Sequence, residues 1–167
     1  MAAVAARAGV ALNTVYTSVG GKPALIEALV DESTTDETIE SALAAMAGST
    51  DPAGILRRLA STTGEVTRRQ AGTLRILLEN RTAEPVVAAA ADRATARYRA
   101  RLHQVAAHLA ALGAVPADTA RTEQILWFYF GTGAWTTVRE LGWDWPEAAD
   151  WLATQATTAL LKPGAAG

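Results

Sequence analysis

The amino-acid sequence predicts an all-α fold, and three observations carry that prediction. Alanine supplies 38 of the 167 residues; it has the highest helix propensity of any residue, and strands disfavour it. No stretch alternates apolar and polar residues for long enough to make a half-buried strand. Pro23, Pro52, Pro85, Pro116 and Pro146 each precede a long proline-free stretch with helical periodicity. Proline fits there because the first helical turn leaves its N–H groups unpaired anyway.

The first two elements are short. Helical patterns around Ala2–Ala8 and Leu12–Ser18 flank Gly9, which is the layout of two steeply crossed helices joined by a tight turn. Ala5 is small enough for the second helix to cross over it, and Gly9 admits positive φ without a Cβ penalty. Val4, Val10 and Val15 are expected to fill the wedge between the two. In a helix-turn-helix unit the second helix enters the DNA major groove, where its N-terminal residues meet base edges. The next helix starts near Lys22 and runs to about Met46, with a kink or restart expected at the poor helix formers Ser33-Thr34-Thr35.

Further helix starts fall near Asp51, Glu84, Val115 and Asp144. Stops fall at Gly48-Ser49-Thr50, Gly113 and Gly142, because glycine takes the left-handed conformation that ends helices. A break near Gln70-Ala71-Gly72 divides the second long stretch, so helices are expected over 51–70, 73–82, 85–112 and 117–141. The start at Asp144-Trp145-Pro146-Glu147 is the best signed, with an acid at the N-cap and a glutamate three residues on. The even proline spacing also suits a repeat array, but no residue recurs at matched offsets, so the plan reads as a bundle. Within it, Ile125 to Phe130 are six consecutive large apolar residues, enough to cover the whole circumference of a helix. One side can pack on the chain's own core; the opposite side needs another partner.

Ala8-Gly9-Val10, Thr14-Val15-Tyr16 and Gly21-Lys22, followed by Leu25-Ile26-Glu27-Ala28-Leu29, resemble the DNA-binding signature of the tetracycline-repressor (TetR) family of bacterial regulators. The resemblance implies a DNA-binding part over residues 1–32 and a helical effector-binding and dimerisation part over 33–167. It implies a homodimer on a palindromic operator, released when a small-molecule effector enters each subunit. It also implies a further helix ahead of Met1 that completes the DNA-binding unit. By position, Leu12, Asn13 and Thr17 correspond to the family's base-contacting residues, and Thr14, Tyr16 and Lys22 to its phosphate-contacting ones. Asn13 has the chemistry to pair bidentately with an adenine. The family dimerises through its last two helices, which here places Phe128, Gly131, Trp135, Leu152, Ala156 and Leu160 at the interface.

An effector cavity is expected between the helices 51–70, 73–82, 85–112 and 117–141, with Thr62, Asn80, Tyr98, His103 and Trp127 as the groups able to line it. Such sites are mostly apolar with a few polar anchors. The arginine-rich stretch 57–101 reads as surface rows at i, i+4 spacing, with an anionic effector as the other use.

Composition excludes several function classes. The chain has no cysteine, which removes disulfides, thiolate metal sites and cysteine nucleophiles and points to a reducing, cytoplasmic setting. A net charge of −2 excludes a nucleic-acid binder acting through bulk positive charge. No apolar stretch approaches the ~20 residues of a membrane span, so no membrane partner is expected. His103 and His108 fall on different faces of a helix. There is no Glu-x-x-His motif, no phosphate-cradling glycine loop and no G-x-S-x-G elbow. Neither an enzyme, nor a metal or other cofactor, is expected. The leading function, which the resemblance implies, is a ligand-responsive repressor. The alternative is a helical, dimeric small-molecule-binding module without DNA-binding activity.

Overall fold

In a computed structural model the chain is all-α, with no strand among the described residues, which are 1–21, 24–25, 28, 37–80, 82 and 85–163. Two short helices, α1 (Ala2–Ala8) and α2 (Leu12–Val19), open the chain. They are followed by α3 (Glu37–Ala47), α4 (Pro52–Asn80), α5 (Pro85–Ala111), α6 (Thr119–Phe130), α7 (Thr132–Glu140) and α8 (Trp145–Leu160). The start expected at Lys22 and the kink expected at Ser33-Thr34-Thr35 lie outside the described residues. The chain divides into two compact units, Met1–Thr35 with Gly72–Thr95, and Asp36–Ala71 with Ala96–Gly167. The sequence division, 1–32 against 33–167, is contiguous along the chain; the structural one is not, because 72–95 groups with the first unit.

Helix ends follow local chemistry. Gly9 has a φ of 67°, its N–H donates to the Ala6 carbonyl, and the Val10 N–H donates to the Ala5 carbonyl. This paired closure satisfies two of the carbonyls that a helix end leaves free. Gly113 and Gly142 close α5 and α7 with the same two bonds. At the other ends, the Asp118 carboxylate accepts the Arg121 N–H at 2.7 Å and the Asp144 carboxylate accepts the Glu147 N–H at 2.8 Å.

Two expected boundaries change. α4 runs through Gln70-Ala71-Gly72 without a break. Gly72 is exposed, and a glycine inside a helix costs only about 1 kcal/mol relative to alanine, too little to stop one. Conversely, the helix expected over 117–141 is two helices, capped at Asp118 and interrupted at Gly131 (φ −68°, ψ 164°). A Cβ at Gly131 would lie 2.4 Å from the Trp127 carbonyl oxygen, an approach that only glycine permits.

The core of the second unit draws on every helix from α3 onward. Leu56 of α4, Leu102 and Leu109 of α5, Leu126 and Phe130 of α6, and Trp135 of α7 are all fully buried. α6, α7 and α8 pack on one another. The indole of Trp135 packs against α4, where a Cβ on Gly64 would come within 2.7 Å of its Cη2. In the first unit, Val87 and Ala90 form a smaller cluster with the half-buried Val86 and Ala94.

Two glycines of the same helix thus have opposite roles. Gly72→Ala should raise the urea midpoint, because its Cβ would meet nothing within 4 Å and alanine gains about 1 kcal/mol in a helix interior. Gly64→Ala should lower it, because crowding a buried ring costs about 1–3 kcal/mol. Equal shifts in chemical denaturation would contradict the Trp135–Gly64 packing.

Candidate functional site

α1 and α2 pack on each other across the Gly9 turn, with Ala5 and Val15 buried between them. Val4 and Val10, expected in the same wedge, are 40% and 43% exposed. Helices of seven and eight residues make so small a contact that one side chain from each fills it. α2 begins at Ala11 with no side-chain cap. Its outward residues are Leu12 (44% exposed), Tyr16 (48%), Asn13, Thr14 and Thr17. The Thr17 hydroxyl donates back to the helix, at 3.0 Å from the Asn13 carbonyl and 3.1 Å from that of Thr14. Lys22 lies outside the described residues. Residues 1–21 hold a single basic side chain, Arg7, and no carboxylate. Arg7 sits in the last turn of α1, where a cation complements the free carbonyls.

A second cluster lies in the other unit, where α5 meets α6. The rings of Tyr98 and Trp127 meet edge-on, with centroids 5.6 Å apart. The Tyr98 hydroxyl donates to the Phe130 carbonyl at 2.5 Å, a group that the interruption at Gly131 leaves without its helical partner. One residue on, the Arg99 guanidinium grips the Glu123 carboxylate with two bonds of 2.8 and 3.1 Å. It also stands 6.0 Å from the centroid of the Trp127 ring, within cation–π range. Burial pushes the Tyr98 phenol above its ordinary value, and a side-chain hydrogen bond with Thr63 acts in the opposite direction. Glu123 is almost wholly buried. Its charge is held by a partner whose fork matches a carboxylate.

Of the residues expected to line a cavity, Tyr98 and Trp127 come together here. His103 is exposed, because the buried stripe of α5 (Leu102, Val105, Ala106, Leu109) turns it to solvent. Thr62 is half-buried on α4, and the Asn80 side chain lies outside the described residues. Three features escaped the sequence reading. The Arg99–Glu123 pair joins residues 24 apart, beyond any periodic signal. The buried Thr122 hydroxyl and Trp135 indole N–H have no hydrogen-bond partner among the described residues. His108 donates Nε2–H to the Ser49 carbonyl at 2.8 Å, and so fixes its own tautomer. His108 borders a cleft of about 60 Å³, with Leu43, Met46, Ala47, Gln104 and Val105 as its other walls. That is well below the roughly 150 Å³ that admits benzene.

The expected interface needs correction. Trp135, Leu152, Ala156 and Leu160 are buried in the chain's own core, and Gly131 is buried at the helix interruption. The stripe on α8 faces α6 and α7 rather than a partner, since those short helices use it to complete their own packing. Phe128 alone of the six is a surface residue, 73% exposed, with its ring edge-on to Tyr129 at 5.1 Å. Trp151, Thr154 and Thr158 on α8 are also exposed. The two threonine hydroxyls donate to the Asp150 and Thr154 carbonyls.

Among the described residues no group of three or more His, Asp or Glu side chains could hold a metal, and no helix is long and apolar enough to cross a membrane. No family model, curated protein or solved structure matches the chain.

The Tyr98 contact has a measurable consequence. Tyr98→Phe leaves the Phe130 carbonyl without its partner and should cost about 1–3 kcal/mol near neutral pH. A raised phenol means that the folded chain holds this proton more tightly than the unfolded one. The contribution is therefore complete below about pH 10 and is lost as pH rises further. Denaturation of the two proteins at stepped pH should show the gap narrowing above about pH 10; a gap that widens would contradict the burial of that hydroxyl.

Proposed function

We propose that the chain is a ligand-responsive DNA-binding transcription regulator similar to the TetR family, a repressor released from its operator by a small molecule. One observation carries this reading: two short helices hinged at a left-handed glycine, with Leu12, Asn13, Thr14, Tyr16 and Thr17 all exposed on the second. A helix presented in this way has the geometry for the major groove, with base-edge contacts from its first residues. Lys22, with Thr14 and Tyr16, would hold phosphates, contacts that position the protein without reading sequence. The setting is a reducing cytoplasm.

The effector would bind in the second unit beside Tyr98 and Trp127, where an aromatic corner adjoins the Arg99–Glu123 pair. It can act only by binding one arrangement of the protein more tightly than another. The homodimer would form through Phe128 and the exposed residues of α8 rather than through the buried stripe. A second reading, a dimeric small-molecule-binding module without DNA activity, draws on the exposure of Val4 and Val10 and on Arg7 being the one basic residue of 1–21.

Gel retardation with the DNA flanking the chain's own gene separates the two readings. The regulator should retard it, and raised salt should release it, since phosphate contacts give binding that falls linearly in log salt. Ligand-induced thermal stabilisation with no retardation at any salt concentration would favour the module. In light scattering, Phe128→Ser should shift the mass from dimer toward monomer; an unchanged mass would remove Phe128 from the interface.

A further inference from the structure

The side chains on the outer face of α2 specify which bases that helix can read. Leu12, Asn13, Tyr16 and Thr17 lie within an arc of about 140° on an α-helix. From Leu12 to Val19 the helix carries no Arg, Lys, Asp or Glu. Guanine is read in the major groove mainly by Arg or Lys at O6 and N7, and cytosine by a carboxylate at N4. Neither the cationic donors nor the carboxylate acceptor is present on α2. What α2 does present is one amide, Asn13, able to bond adenine N6 and N7 together, and apolar surface suited to the thymine methyl.

Thr17 decides the matter. A threonine hydroxyl can serve any base, but here its proton is committed to the Asn13 and Thr14 carbonyls. The side chain therefore has no proton to offer guanine, and brings to the groove its methyl and an acceptor oxygen. Leu12, 44% exposed, has no polar atom to offer at all. Nothing on α1 or α2 opposes the approach of DNA, because residues 1–21 contain no carboxylate. We infer that α2 selects adenine·thymine pairs, with Asn13 on an adenine and Leu12 and Thr17 on thymine methyl groups. This inference rests on the DNA-binding reading above.

The test is selection of duplexes from a random library by the full chain, at low and at raised salt. Salt-sensitive binding with A·T pairs enriched at the positions facing α2 is the expected result. Guanine enriched there would overturn this inference and leave the DNA-binding reading intact, whereas no salt-sensitive binding to any duplex would overturn both. In an enriched site, replacing thymine by uracil removes only the methyl and should weaken binding about fourfold for each methyl contacted. Thr17→Ser should abolish the penalty at one thymine, and Asn13→Ala should erase about a tenfold preference for adenine at one position. A uracil penalty of equal size in Thr17→Ser at every position would overturn the role given to Thr17.

Discussion

A single helix carrying Ile125 to Phe130 and then Trp135 would be apolar on every side, and such a helix must be covered all round. A chain of this size has too few neighbours to enclose one. The interruption at Gly131 removes the difficulty by letting α6 and α7 set different faces against the core, so that both Phe130 and Trp135 lose all contact with solvent. The cost is a backbone carbonyl at Phe130 stripped of its helical donor, and a buried carbonyl left unpaired is expensive. Tyr98 supplies the donor from α5. The ring of Trp127 lies under the bend, edge-on to Tyr98, and that of Trp135 requires Gly64 on α4. One glycine thus fixes how α4, α5, α6 and α7 meet.

The contrast between Gly131 and Gly72 explains how much of the fold can be read from the chain. Both are glycines in stretches of helical periodicity, yet one interrupts a helix and the other does not. What differs is the surroundings: a Trp127 carbonyl oxygen 2.4 Å from where a Cβ would stand in one case and open space in the other. No local pattern reports that. Helix ends set by their own residues, such as the Gly9 closure and the Asp144 cap, are legible because they involve atoms a few positions apart. The exposed set on α2 is legible for the same reason. By contrast, whether Leu152, Ala156 and Leu160 face the chain's own core or a second copy depends on where α6 and α7 end up. Periodicity marks the stripe as apolar without naming the neighbour. The partner of Arg99 and the burial of Thr122 belong to the same class.

Threonine also changes how the surfaces read. Thr17, Thr136, Thr137, Thr154 and Thr158 are all exposed, and each donates its hydroxyl proton to a carbonyl three or four residues back. This back-bonding uses the hydroxyl proton within the helix and leaves the oxygen only its acceptor lone pairs. Faces that look polar in composition therefore offer few hydrogen-bond donors. The effect unites the two candidate surfaces, since both α2 and the outer side of α8 are less polar than their residues suggest. For a helix that reads bases, the effect selects methyl contact over hydrogen-bond donation. On a helix that meets another copy, it lowers the desolvation that association requires.

The sparse charge of residues 1–21 makes association part of the proposal rather than an addition to it. Phosphate neutralisation supplies most of the sequence-independent attraction to DNA, and residues 1–21 contribute only Arg7 to it. A lone reading helix with one bidentate side chain cannot hold a duplex tightly by itself. In the proposed dimer, two copies joined through Phe128 and α8 would make the second contact intramolecular, and affinity would rise by the effective concentration without any new contact. The geometry follows from the same argument. Paired reading helices meet successive major-groove faces only when half-sites lie about one DNA turn apart or a multiple of it. Under the proposed function, a ligand that altered the pairing by a fraction of that spacing would cancel the gain.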